Sequence, residues 1–281
     1  MPAALLSRMT GDNVIFLEAA QRIIAGEPTV RDVCATCNGG PLSVLDNYIC
    51  GLYDTYFHRI VKPAQTILFK YDFHNLARWL LKVSFNSTRT KNEGDAPILA
   101  RYREYVLDPS GKRHQLALFL QLVGPRLLTK SEAARIGPRW LTQLPKTPDG
   151  RQQIPPFPMR ISRATSSQHF AGVVHRLVSI NSFYFYILIP RNAPLLPKTW
   201  KDVRRSAKAR LDQAQQLLED SNSVSISVSL IDHLSSFKPT TIANPSVFQQ
   251  WLHQLEGLPH TAGALGDDPQ EIAHRGLVSC K

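Results

Sequence analysis

In the first part of the chain, hydrophobic residues recur among polar ones with the period of helices. From Pro41, apolar residues recur every three or four positions, which predicts a helix that continues to about Ile60 and stops before Lys62-Pro63. Proline suits the first helical position because its missing N–H would have no partner there. Asp72 is predicted to cap a second helix. The apolar face of that helix contains Phe73, Leu76, Trp79, Leu80 and Val83.

The second part of the chain changes to the period of strands. Val224, Ile226, Val228 and Leu230 alternate with serines, which predicts a strand with one dry and one wet face. Shorter apolar runs predict further strands, and residues 14–25 suggest a short strand followed by a helix. The other predicted strands are 29–33, 66–70, 115–123, the alternating run 157–161, and a hairpin of 172–178 with 183–189. The other predicted helices are 97–106, 200–219 and 247–255.

These patterns predict an α+β fold with a change of character along the chain. Residues 1–125 form the predominantly helical part, and residues 157–258 form a β-rich α+β domain. The intervening residues 126–156 contain much Pro, Gly, Lys and Arg with little periodicity, so they are predicted to be a loop or linker. Residues 259–281 are predicted to be a mobile tail.

Composition narrows the class of protein. Of the 281 residues, 43% are hydrophobic and 20% are charged, as in soluble globular proteins. The longest apolar run, 183–189, is too short to span a bilayer, and residues 1–10 lack the apolar stretch of a secretory signal. The expectation is therefore a cytoplasmic protein without a membrane partner.

The charge balance points to a polyanionic partner. A formal charge of +11 and a pI near 9.7 favour nucleic acid, although a basic surface with no specific partner is the plain alternative. Two clusters of basic residues are candidates for phosphate contacts, one on the helix predicted from Asp72 and one on a face of the helix predicted at 200–219. They are Arg78, Lys82 and Arg89 in the first, and Lys201, Arg204, Arg205 and Lys208 in the second.

Cys34 and Cys37 form the chain's one Cys-x-x-Cys pair, which favours a metal-binding or redox-active site over a disulfide framework. A structural zinc needs four ligands, and no Cys or His precedes Cys34. Cys50 lies too far along the helix, so the remaining ligands would be His58, His74 or residues of a partner chain. The alternative is a pair of ordinary buried cysteines.

Residues 33–46, which read Val-Cys-Ala-Thr-Cys-Asn-Gly-Gly-Pro-Leu-Ser-Val-Leu-Asp, resemble the second zinc knuckle of HNH-type endonucleases. In that family an upstream cysteine pair is followed by an acidic residue, histidine, two aliphatic residues and proline. Here residues 12–16 match the acidic and aliphatic positions, but Asn13 replaces the histidine and Phe16 replaces the proline. The resemblance covers about residues 10–90, including the helix that carries Arg78.

The resemblance implies a ββα remnant with a helical extension, a structural zinc at Cys34 and Cys37, and a catalytic Mg²⁺ or Mn²⁺ near Asn38 and Asp12. The family's histidine deprotonates the attacking water, and Asn13 cannot act as a base. Losing a general base typically costs about 10²–10⁴-fold in rate. The resemblance therefore implies a nucleic-acid-binding protein, for DNA more than RNA, with impaired or lost phosphodiester hydrolysis.

Two alternatives remain open. The alternative to the nucleic-acid-binding function is a non-enzymatic protein-interaction module that binds no metal. A longer natural chain would be able to supply the missing upstream cysteine pair, but it would not restore a histidine at position 13.

Overall fold

The structure, a computed structural model, confirms the α+β class. Asp12, Asn13, the helix predicted at 247–255 and the tail at 259–281 lie outside the described residues. The structure describes the backbone of 14–17 and 22–25, residues 4, 5 and 8, and residues 33–62, 64–90, 94–130, 146–147, 149–154, 156, 159–163, 172–192, 194–211 and 213–229.

The first described elements are two short strands. Strand β1 (Val14–Leu17) pairs antiparallel with β2 (Arg22–Ala25), with Val14 opposite Ala25. The helix predicted in the second half of 14–25 is therefore wrong. The segment contains two consecutive isoleucines, and their β-branched side chains favour extended backbone once a partner strand is present.

The helices follow the predicted order with different ends. Thr55 bonds back to the carbonyl of Gly51 at 2.8 Å, and the long helix widens into a π-turn (Tyr53–Phe57) before reaching Ile60. The helix predicted at 97–106 is divided into two short ones. The helices are α1 (Ala35–Gly39), α2 (Pro41–Leu52), α3 (Phe73–Thr90), α4 (Ala96–Ala100), α5 (Arg103–Leu107) and α6 (Pro197–Arg210).

Within the described residues, seven strands form the central mixed sheet, in the spatial order β3-β11-β4-β9-β8-β7, with β10 also paired to β4. Neighbours are antiparallel except β11 and β4. A separate pair, β5 with β6, lies within the predicted linker. The strands are β3 (Thr66–Lys70), β4 (Ala117–Val123), β5 (Arg126–Leu127), β6 (Gln153–Ile154), β7 (Met159–Arg163), β8 (Val173–Ile180), β9 (Phe183–Pro190), β10 (Gln215–Leu217) and β11 (Ser223–Ser229).

Both faces of this sheet are covered. In β4, Leu118, Leu120 and Leu122 face the larger core, which α2 and α3 complete, whereas Ala117 and Phe119 face the smaller core beneath α6. Covering on both sides explains why β4, β8 and β9 are buried along their whole length.

The sheet joins the two parts of the chain, residues 1–125 and 157–258, that the hydrophobic patterns separate. Strand β3 pairs with β11, and β4 pairs with β9. Strands before residue 126 therefore lie beside strands after residue 156, and the described parts of both predicted domains share one larger core.

The tight turn between β8 and β9 holds the end of the π-turn segment. Asn181 has a positive φ of 46°, and its side chain donates to the Phe57 carbonyl at 2.7 Å. Ser182 accepts a hydrogen bond from the Val61 N–H at 2.8 Å. The hairpin predicted at this position is confirmed, and its turn also satisfies backbone groups that follow the helix.

The basic helix is shorter than predicted. It ends at Arg210 rather than near residue 219, because Leu211 turns to extended backbone and Gln213 adopts a positive φ of 55°. The chain then forms β10, which pairs with β4 at Leu118–Leu120. Within the described part of the chain, no helix is long and apolar enough to cross a membrane.

Candidate metal and nucleic-acid sites

Cys34 and Cys37 stand at the start of a single helical turn. Cys34 is the N-cap of α1, and its Sγ accepts a hydrogen bond from the Cys37 backbone N–H at 3.3 Å. Cys34 is exposed and Cys37 is half-buried. Pro41 then occupies the first turn of α2, as predicted, so the cysteine turn leads directly into the long helix.

The two thiols also interact with each other. The backbone N–H of Cys37, followed by the Cys37 thiol, lowers the pKa of Cys34 by stabilising its thiolate. The pKa of Cys37 is raised, chiefly because its proton is held in a hydrogen bond to Cys34. Arg103, at the start of α5, opposes this effect.

The described residues do not complete a zinc site around these thiols. No group of three or more Cys, His, Asp or Glu side chains in this part of the chain is placed to hold a metal ion. Cys50 is fully buried in the core. The predicted histidine ligands are engaged elsewhere: His58 Nδ1 lies 3.2 Å from the Tyr53 carbonyl, and His74 contacts Tyr105 and Glu219.

Asn38 is exposed at the end of the cysteine turn, and its backbone N–H donates to the Cys34 carbonyl at 3.0 Å. Its side chain is therefore accessible for a metal ion or phosphate. Asp12 and Asn13 lie outside the described residues, so the catalytic set that the resemblance implies stays a prediction.

Arg78 is not available for phosphate, and this prediction is corrected. Only 5% of the residue is exposed. Its Nε donates to the Val106 carbonyl and its Nη2 to the Leu107 carbonyl, each at 3.1 Å. These are among the last carbonyls of α5, which have no partner within the helix. Arg78 therefore ties α5 to α3.

Lys82 and Arg89 are also engaged within the fold. Lys82 Nζ lies 2.6 Å from Asp46 Oδ1, and the Lys82 side chain is only 12% exposed. This ion pair joins α3 to α2, although burial still raises the pKa of Asp46. The Arg89 guanidinium lies over the Phe85 ring, 5.3 Å from its centroid. Lys82 is therefore corrected from phosphate contact to helix contact, and Arg89 is half-buried.

Helix α6 keeps its predicted basic face. Lys201, Arg205 and Lys208 are exposed, and the Arg205 side chain is 76% accessible although it pairs with Asp202 at 2.9 Å. Arg204 is half-buried, so it belongs to the side of the helix rather than to its outer face.

Helix α6 carries two further exposed basic residues, Lys198 and Arg210, which the sequence alone did not place on its basic face. Lys198 was missed because the helix was predicted to begin at Trp200, whereas it begins at Pro197. Pro197 was the signal for the true start of the helix, because proline is common at the first helical position. With six basic residues and one acidic residue, α6 carries a net charge of +5.

Sequence reasoning also missed a buried charged cluster at the end of the sheet. The Asp95 carboxylate, 2% exposed, lies 3.3 Å from Arg163 and Arg191 and 3.9 Å from Arg176. These residues come from distant parts of the chain, and no local spacing could predict the cluster. It ties the start of α4 to β7, β8 and the end of β9.

Comparison with protein-family models, curated proteins and solved structures finds no match to this chain.

Proposed function

We propose that this protein binds nucleic acid, DNA more than RNA, through the outer face of α6. The main support for this proposal is the structure of α6, a 14-residue helix whose inner face packs on the sheet and whose outer face is basic. The phosphate backbone attracts such a face whatever the base sequence, because binding releases condensed counterions.

The anchoring of α6 supports this proposal. Trp200 and Ala207 are buried in the smaller core with Phe119 and Tyr184 of the sheet, and Val203 packs against them. The apolar residues recur at helical spacing, so the exposed lysines and arginine are held on the opposite side. A basic surface on a rigid element can contact several phosphates without ordering the backbone on binding.

The HNH resemblance supports nucleic acid as the partner class. Hairpin β1–β2 precedes the cysteine turn and α2, which is the strand–strand–helix order of the family's ββα unit. The replacement of histidine by Asn13 supports impaired or absent phosphodiester hydrolysis, with Mg²⁺ or Mn²⁺ as the ion of any residual activity. A structural zinc and a cytoplasmic location stay predictions.

A salt titration tests the binding proposal. Anisotropy of labelled duplex DNA is measured against salt concentration for the parent, for a Lys201→Gln/Lys208→Gln variant, and for a Lys70→Gln/Lys112→Gln control that removes two exposed lysines elsewhere. The slope of log K against log salt is negative, and each phosphate contact that is removed reduces its magnitude by about 0.9. The magnitude should therefore fall by about 1.8 in the α6 variant and stay the same in the control. A duplex RNA competitor should displace the DNA weakly.

Two outcomes of the salt titration would contradict the proposal. If the parent shows no salt-dependent binding, or if both variants weaken it equally, α6 is not the binding surface. Absence of binding would favour the alternative, a protein-interaction module without catalytic chemistry.

A plasmid-nicking assay with Mg²⁺ or Mn²⁺ tests the impaired hydrolysis separately. We expect no nicking above that of the Asn38→Ala variant. Efficient nicking by the parent that Asn38→Ala abolishes would show an active nuclease that uses another base.

A further inference from the structure

We infer that Cys34 and Cys37 form a redox-active dithiol, which a small disulfide such as oxidised glutathione converts reversibly to a Cys34–Cys37 disulfide. The inference concerns a site that the DNA-binding proposal does not use. It holds whether or not α6 binds nucleic acid.

The geometry of the helical turn supports this inference. Cys34 is the N-cap and Cys37 is the N3 residue of α1, two positions whose side chains meet across the first turn. The Cys34 Sγ accepts a hydrogen bond from the Cys37 backbone N–H, with 3.3 Å between the sulfur and the nitrogen. The Cys34 sulfur therefore lies beside Cys37 before any bond forms, and we expect the short ring to close without a large backbone movement.

The zinc that the HNH resemblance implies fits these residues less well. Zinc sites of the structural kind use four ligands, and the described residues bring no third ligand to the pair. The Cys34 sulfur instead contacts the backbone of Cys37, an arrangement suited to a dithiol within one helical turn. A pair of cysteines in one helical turn, of which Cys34 is exposed, is suited to thiol–disulfide exchange.

The different exposure of Cys34 and Cys37 indicates which thiol reacts first in the two exchange steps. Cys34 is exposed, whereas Cys37 is half-buried, so the Cys34 thiolate attacks a sulfur of the small disulfide first and one thiolate leaves. Cys37 then gives up its proton and attacks Cys34 Sγ, which expels the second thiolate. The protein loses two electrons and two protons, and the small disulfide becomes two thiols.

Mass spectrometry of the full chain tests the inference. The protein is equilibrated with oxidised glutathione, free thiols are alkylated, and the protein is digested with a protease that cleaves before aspartate. That digest places Cys34 and Cys37 on the peptide 32–45 and separates them from Cys50. We expect this peptide to resist alkylation and to be lighter by two hydrogen atoms, and to recover both thiols after reduction. Cys50, which is 0% exposed, should stay reduced.

Two single variants serve as matched controls. Cys37→Ser should stop at a mixed disulfide between Cys34 and glutathione, and Cys34→Ser should react more slowly because only the half-buried thiol remains. The inference is overturned if the parent accumulates the mixed disulfide without closing the ring, or if both variants react at the same rate. One zinc per purified chain that shields both thiols from alkylation would also overturn it.

Discussion

Replacing Arg78 by methionine should separate fold stability from nucleic-acid binding. Arg78 belongs to a basic cluster that sequence alone assigns to phosphate, yet its guanidinium donates to the carbonyls of Val106 and Leu107. Methionine keeps most of the apolar stem and removes every donor. The matched variant is Arg205→Met on α6, where the side chain is 76% accessible.

The expected destabilisation follows from the two hydrogen bonds that a methionine side chain cannot donate. A hydrogen bond from a charged donor contributes about 1.5–3 kcal/mol, and Arg78 makes both of these bonds at 3.1 Å. Burial of the guanidinium, which lowers the pKa of Arg78, offsets part of that gain. We therefore expect Arg78→Met to lower the free energy of unfolding by about 3 kcal/mol. Arg205→Met should change it by less than about 0.5 kcal/mol.

Two assays decide the matter. Urea unfolding followed by tryptophan fluorescence gives the stability of each variant, and anisotropy of labelled duplex DNA gives the affinity of the folded protein. Arg205→Met should weaken DNA binding and reduce the magnitude of its salt slope by about 0.9. Arg78→Met should leave both unchanged once the folded fraction is corrected for. An Arg78→Met protein of parental stability that has lost DNA affinity would refute the structural role.

Three further substitutions test other parts of the fold. Burial lowers the pKa of His175 to about 4, against 6.5 for the exposed group, so the unfolded state binds the proton first. Stability is therefore lost as pH falls below 6.5, by about 2 kcal/mol between pH 8 and pH 5, and urea unfolding of His175→Phe should lack that loss. Asp72→Ala removes the cap of α3, which accepts from the Asn75 N–H at 2.9 Å, and should cost about 1 kcal/mol, whereas Asp72→Ser should recover most of it. Asn181→Ala loses the bond to the Phe57 carbonyl and strains a positive φ, so unfolding should need about 2 kcal/mol less, and Asn181→Gly should lose less than Asn181→Ala. Equal pH dependence in parent and variant, or no difference between paired substitutions, would contradict these assignments.

The elements predicted correctly are those whose pattern is long and locally complete. Helix α3 has a cap, an apolar face and 18 residues, and all five residues predicted on its apolar face are buried. Strand β11 alternates as predicted, with Ile226 and Val228 buried and Ser225 and Ser227 exposed. In both, the local signal and the tertiary environment favour the same structure.

The secondary structure of short segments depends on the strands with which they pair. The Arg22–Ala25 segment is too brief to distinguish helix from strand by periodicity, and pairing with β1 makes it a strand. Residues 215–217 continue a helical pattern after Arg210, yet they pair with β4 instead. Pairing across the chain supplies hydrogen bonds that no local spacing predicts.

Among the candidate site residues, sequence alone determined which residue types are present and which lie on one face. It identified the Cys34–Cys37 turn opening a helix and the basic face of α6, because both depend on neighbours within a few positions. Only the tertiary structure distinguished Arg78, buried against α5, and Lys82, paired with Asp46 of α2, from Lys201 and Arg205 in solvent. The physical reason is that charge is a property of the residue, whereas its availability depends on which other elements pack around it.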